Sequence, residues 1–122
     1  MSTSLANRTI LVVEDDPIIG LDLCDTIAAA GATVVGPAHD VESALALLAH
    51  TQVDAAVLDH LIIGGNSRPI ADVLAERGVA FLFHTSHRGD LRERYPAVTI
   101  LDKPSRPGEL LATLASLLAT PS

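Results

Sequence analysis

Residues 54–65 read Asp54-Ala55-Ala56-Val57-Leu58-Asp59-His60-Leu61-Ile62-Ile63-Gly64-Gly65. A short apolar run lies between two acids and then breaks into glycines. A run of this length fits a strand buried on both faces, as in a parallel sheet. Asp59 would then stand at the strand's carboxyl end, on the rim where open α/β sheets bind their ligands. Taken alone, such an aspartate reads first as a strand terminator, because Asp commonly opens turns. Its meaning depends on what the other strands bring beside it.

Working outward, Arg8-Thr9-Ile10-Leu11-Val12-Val13 is a β-branched, apolar run that stops at Glu14-Asp15-Asp16-Pro17. Asp16 is placed to N-cap a helix whose first residue is Pro17. Ile18, Leu21, Cys24, Ile27 and Ala28 recur at three-and-four spacing and predict its buried stripe, which Gly31 closes. Cys24 on that stripe reads as a packed core thiol rather than a nucleophile. Ala32-Thr33-Val34-Val35-Gly36 is a second short strand ended by Pro37, and Asp40 can cap a helix carrying Val41, Ala44, Leu45, Leu47 and Leu48. After Asp59, a loop through Gly64, Gly65 and Asn66 leads to a helix with Pro69 at its start and Gly78 at its stop. Ile70, Val73 and Leu74 are its apolar positions.

Val79-Ala80-Phe81-Leu82-Phe83-His84 reads as a fourth strand, followed by Thr85-Ser86. Residues 90–95 leave room for fewer than two helical turns, which predicts a short or frayed helix. Val98-Thr99-Ile100-Leu101 is the fifth strand and ends in Asp102-Lys103-Pro104. A last helix starts at Pro107, has Glu109 in its first turn and runs through Leu110, Leu111, Leu114, Leu117 and Leu118. Five strands alternating with helical segments over short connections predict a doubly wound parallel sheet covered on both faces.

At 122 residues the chain is the size of one domain, and 48% hydrophobic residues exclude disorder. No apolar run approaches the roughly 20 residues that a membrane helix needs. The start, residues 1–8, lacks the charged-then-apolar order of a signal peptide, and a lone Cys24 cannot form an internal disulfide, so the cytoplasm is the expected location. A net charge of −7 argues against a nucleic-acid partner. Lys103 is the one lysine among eight basic residues, the rest being arginines. A compact ammonium in a chain that otherwise uses Arg calls for a local reason.

Strands of a parallel sheet share one carboxyl rim. There the sequence places Glu14, Asp15 and Asp16, then Asp59, then Thr85 and Ser86, then Lys103. Crowded carboxylates repel or demand a cation, and a hard divalent ion such as Mg²⁺ suits a few carboxylates that leave waters in place. A metal of that kind can attract phosphate. Thr85 and Lys103 would offer a hydroxyl and a point charge to the phosphoryl oxygens, with Asp59 as nucleophile.

Ile10 through Pro17, Val57-Leu58-Asp59, Thr85-Ser86 and Lys103-Pro104 resemble, in order and spacing, the receiver domain of two-component response regulators. The resemblance spans essentially residues 1–122 as a single receiver domain, with no effector domain expected after the last helix. It implies a flavodoxin-like fold of strand order 2-1-3-4-5. It also implies that Asp59 accepts a phosphoryl group from a sensor histidine kinase or histidine phosphotransfer protein. Mg²⁺ would be held by Asp15, Asp59 and the main-chain carbonyl of Leu61, with Glu14 acting through water. Thr85 and Lys103 would contact the phosphoryl group. Such a protein is not an enzyme toward other substrates. It catalyses only its own phosphorylation and dephosphorylation, and signals through a downstream protein, with a homodimer as a further possibility.

A narrower resemblance, over 61–65, 69–72 and 77–85, is to the stand-alone proteobacterial receivers of the FATGUY group. Ser86-His87 stands here in place of that group's Gly-Tyr, and Ser105 where most receivers carry an aromatic residue. Ile100 occupies the position of the usual switch aromatic, so signalling is expected to run instead through ordering of residues 86–96. Leu61 and His87 flank the expected path of the hydrolytic water. An apolar Leu61 cannot orient that water, which predicts slow dephosphorylation. His39, His50, His60 and His84 lack metal-ligand spacing and read as structural or surface residues.

Other functions fit less well. An aspartyl-phosphate phosphatase resembles Asp-x-Asp at its nucleophile, whereas Leu61 stands two after Asp59. A flavin carrier needs a phosphate-cradling loop after the first strand, where Glu14-Asp15-Asp16 would repel phosphate. A phosphoryl sink or relay, and a docking module that ignores phosphorylation, remain as alternatives.

Overall fold

The strands of the main sheet are apolar on both sides, so neither face can be left to water, and helices cover both. The computed structural model describes residues 5–63 and 65–119. The expectations at residues 1–4, Gly64 and 120–122 lie outside the described residues. The chain runs β1 (Thr9–Val13), α1 (Pro17–Ala29), β2 (Thr33–Ala38), α2 (Val41–His50), β3 (Ala55–Leu58), β4 (Leu61–Ile62), β5 (Gly65–Asn66), α3 (Arg68–Glu76), β6 (Ala80–Thr85), α4 (Leu91–Arg94), β7 (Thr99–Asp102) and α5 (Pro107–Ala119). The main sheet is parallel with order β2-β1-β3-β6-β7. With the small β4–β5 hairpin set aside, this is the 2-1-3-4-5 order of the flavodoxin-like fold.

Successive strand residues face opposite ways, which splits the core in two. Leu11, Val13, Ala56, Leu58, Phe81, Phe83 and Ile100 pack toward α2, α3 and Leu91 of α4. Ile10, Val12, Ala55, Val57, Leu82 and Leu101 pack toward Leu23 and Ile27 of α1 and Leu110 and Leu114 of α5. The three aromatic residues of the chain meet in the first core, with Phe83 and Tyr95 ring centroids 5.3 Å apart and Phe81 and Phe83 edge-on at 5.7 Å. The predicted caps are in place. Asp16 accepts from the Ile18 and Ile19 N–H groups at 2.9 and 3.2 Å, and Asp40 accepts from Ser43 N–H at 2.7 Å.

Three expectations need correction. The buried face of α1 is Gly20, Leu23 and Ile27, while Ile18 and Leu21 are 80% and 60% exposed. The helix is apolar on both sides, so spacing alone could not choose the inner one; Gly20 decides it by letting α1 approach Pro37, whose Cβ is 3.3 Å from where a glycine Cβ would stand. Pro37 does not end β2, which continues to Ala38 through a register shift against β1 between Leu11 and Val13. An edge strand tolerates proline, and Gly36 takes φ +108° where a Cβ would lie 2.6 Å from the Val12 carbonyl oxygen. Finally, the loop expected after Asp59 contains an antiparallel pairing of Leu61 with Asn66 and Ile62 with Gly65.

Candidate functional site

β1, β3, β6 and β7 end side by side, and the residues that follow them converge. Asp59 comes directly after β3, with its N–H donating to the Val13 carbonyl at 2.9 Å. Glu14 comes directly after β1 and donates its N–H to Ala38 at 2.9 Å, while His39 Nδ1 lies 2.9 Å from the Glu14 carbonyl oxygen. Lys103 comes directly after β7, and its N–H donates to the Thr85 carbonyl at 3.1 Å. These main-chain bonds fix where each side chain starts.

The Lys103 ammonium donates to Asp59 Oδ2 at 2.8 Å and also ion-pairs with Glu14 Oε1. The Glu14 and Asp59 side chains are almost fully buried, and that of Lys103 largely so. Burial, opposed by Lys103 and helped by Asp59, pushes the Glu14 carboxyl up to about 7. Burial alone would raise Asp59 too, but hydrogen bonds from Lys103 and Glu14, the Lys103 charge and the Thr85 hydroxyl outweigh it and hold the carboxyl below its ordinary value. For Lys103, burial alone would lower the value, and the two carboxylates together raise it. Asp59 is thus kept ionised as Glu14 tends to hold its proton.

Glu14, Asp15 and Asp59 each offer a carboxylate oxygen, all within 4.8 Å of one another. An all-oxygen, multiply anionic set of this kind fits a hard divalent cation. The cluster opens into a pocket of about 260 Å³ also lined by Asp16, Ile19, Leu61, Ser86 and His87. Leu61, expected to act through its carbonyl, sits on the pocket wall as part of β4 and is 45% exposed. Thr85 is fully buried and does not line the mouth; its hydroxyl accepts from the His87 N–H at 3.0 Å.

Several contributors are invisible to sequence spacing. Ile19 borders the mouth because α1 turns an unexpected side inward, and His39 reaches Glu14 across 25 residues. Residues 88–90 are tied down by two side-chain pairs: Arg88 grips Asp102 through both carboxylate oxygens at 2.7 and 2.9 Å, and Asp90 pairs with Arg68 at the start of α3. His60 is buried beneath Gly89, with its Nε2 3.4 Å from where a Cβ would stand on that glycine. The histidines read as structural bear this out at His60 and His84, both buried. Cys24 is half-buried against the second core, and burial raises its thiol.

No family model matches the chain, and no curated protein matches it. Solved structures do. SdrG of Sphingomonas melonis Fr1 is 35% identical at a TM-score of 0.80, covering 98% of this chain and 100% of that one. The non-phosphorylated HemR receiver domain of Leptospira biflexa is 25% identical at a TM-score of 0.82, covering 95% and 98%. The response regulator PhyR of Brucella abortus is 22% identical at a TM-score of 0.83, covering 96% of this chain and 49% of that one. The chain therefore spans about half the length of that PhyR.

Proposed function

This chain belongs to the receiver domains of two-component response regulators, and we propose that its Asp59 accepts a phosphoryl group from a histidine kinase or histidine phosphotransfer protein. A role in two-component signalling follows from the family; the chemistry at Asp59 is supported by the groups gathered around it. The observation that carries it is the contact of the chain's one lysine, Lys103, with an almost fully buried Asp59 at 2.8 Å. An ammonium so placed keeps Asp59 anionic and therefore nucleophilic.

In the transfer, an Asp59 carboxylate oxygen forms the new O–P bond as the P–N bond of the donor phosphohistidine breaks, and the donor imidazole leaves with the bonding electron pair. Lys103 exchanges its contact with Asp59 for one with a phosphoryl oxygen. Thr85 can donate its hydroxyl to another once it releases the His87 carbonyl, now 3.4 Å away. Mg²⁺ held by Glu14, Asp15 and Asp59, with the Leu61 carbonyl, would supply charge neutralisation for the transferred group. Leu61 presents an apolar side chain to the mouth, which leaves attacking water unoriented and makes the phosphorylated state long-lived. The chain turns over no other substrate, works in the cytoplasm and passes its signal by contact with a further protein.

Intact mass after incubation with a small phosphodonor and Mg²⁺ tests this. One phosphoryl adduct is expected on the wild-type chain and none on Asp59→Asn. An adduct that persists in Asp59→Asn would overturn the reading.

A further inference from the structure

Next to the acceptor pocket, with Ile19 and Lys103 in both linings, lies a second cavity of about 140 Å³ between α1 and the start of α5. Its lining includes Asp22, Thr26, His84, Lys103, Ser105 and Leu110. His84 precedes Thr85 and points to this side with Leu82, as strand alternation requires. It is 4% exposed, and its Nε2 is hydrogen-bonded to Ser105 Oγ at 2.8 Å. Its Nδ1 is buried with no partner among the described residues. A half-satisfied buried imidazole is costly, and such a group calls for a local reason. Ser105 is the residue that departs from the aromatic expected after Lys-Pro, and its hydroxyl is what meets His84.

The two partners flank the two groups offered to phosphate. Thr85 follows His84, and Ser105 stands two residues after Lys103. The Lys103 main chain is already held before its side chain by the N–H bond to Thr85 at 3.1 Å; the His84–Ser105 bond holds it after. Burial first, and the Lys103 charge second, push the imidazole below its ordinary value, so the link is one neutral hydrogen bond at pH 7. We propose that His84 and Ser105 are positioning residues whose hydrogen bond pins the β7–α5 turn to β6 and thereby fixes Lys103 against Asp59. The inference deepens the proposed function and rests on it only for the consequence in phosphoryl transfer.

The single lysine makes the test direct. Protein grown on lysine labelled with ¹³C at the ε carbon gives one side-chain signal, from Lys103, whose two ε protons are inequivalent while the ammonium is held. Ser105→Ala and His84→Asn are expected to merge the two proton shifts toward the free-lysine value. Ser105→Thr keeps the hydroxyl and His84→Gln keeps a hydrogen-bonding group at the Nε2 position, so both are expected to preserve the wild-type pattern. Phosphorylation by the small phosphodonor slows about three- to tenfold in the first pair, the factor worth one neutral hydrogen bond, and stays near wild type in the second. A Lys103 signal unchanged in Ser105→Ala and His84→Asn, or disturbed alike in all four variants, would overturn the proposal. Absence of any Asp59 adduct on the wild-type chain would instead remove the functional reading and leave the Lys103 result standing.

Discussion

The acceptor rim and the segment 88–94 lie on the same edge of the sheet, but they are held in opposite ways. At the rim, Glu14, Asp59 and Lys103 are withdrawn from water and start from main-chain positions that strand pairing fixes. The segment after β6 has one four-residue helix, and its ties are the side-chain pairs Arg88–Asp102 and Arg68–Asp90 at solvent-exposed or half-exposed positions. Buried charges with few alternatives keep one arrangement, because separating them leaves a desolvated ion without a partner. Exposed pairs exchange readily with water and salt. The rim is thus built to stay in register while the neighbouring segment can be released at low cost.

The difference can be tested at several depths. The largest effect is expected at Lys103→Ala, which leaves the buried Asp59 carboxylate without its cation. In Mg²⁺-free urea denaturation at neutral pH it should lower stability by about 3 kcal/mol, and a loss indistinguishable from zero would mean the rim is no more rigid than the segment.

A pH series without Mg²⁺ isolates Glu14. Its folded value of about 7 lies above the ordinary 4.5, so the folded state binds the proton more tightly. That contribution is fully present below pH 4.5 and is lost as pH rises through 7. Asp59, held below 3.8, contributes in the other direction, with stability lost as pH falls through its lowered value. Between pH 4.5 and 7 the Glu14 effect should therefore give stability that falls with rising pH, and Glu14→Gln should flatten that slope. A slope unaltered by Glu14→Gln would assign it elsewhere.

Mg²⁺ at ten times its Kd should raise stability by about 1.4 kcal/mol, as for any ligand bound only by the folded state. Asp15→Asn should remove most of this while leaving the metal-free midpoint nearly unchanged; an equal Mg²⁺ response in the variant would sink the three-carboxylate site. The smallest effect belongs to the segment. Arg88→Gln should leave the unfolding midpoint in place but speed amide exchange across residues 86–90, more so at low salt. The swapped pair Arg88→Glu with Asp102→Arg should restore protection. Exchange there that ignores both substitutions would show that Gly89 packing on His60, not the ion pairs, holds the segment.

Much of this is legible in the chain. The largely apolar runs at 10–13, 55–58, 79–84 and 98–101 announce buried parallel strands because a strand covered on both faces has no polar alternation to hide. Acids, Thr85 and Lys103 at their ends then announce the rim, since parallel strands share one polarity. The direction of α1 is not legible, because Ile18, Leu21, Leu23 and Ile27 are apolar on both sides of one helix and a period cannot say which side faces in. The β4–β5 hairpin escapes a sequence reading because Leu61-Ile62 and Gly65-Asn66 are two-residue strands with no alternation long enough to read.

By itself the sequence determined the strand sequence, the caps at Asp16 and Asp40, and the identity of the groups at the acceptor edge, since these follow from local pattern and from the shared direction of parallel strands. Only the tertiary structure decided that Lys103 touches both Glu14 and Asp59, that Glu14 is the carboxyl pushed up and Asp59 the one kept low, and that His84 meets Ser105 beside them. Those outcomes depend on distances of a few ångströms and on burial between residues 21 to 89 positions apart in the chain, and no local pattern carries that information.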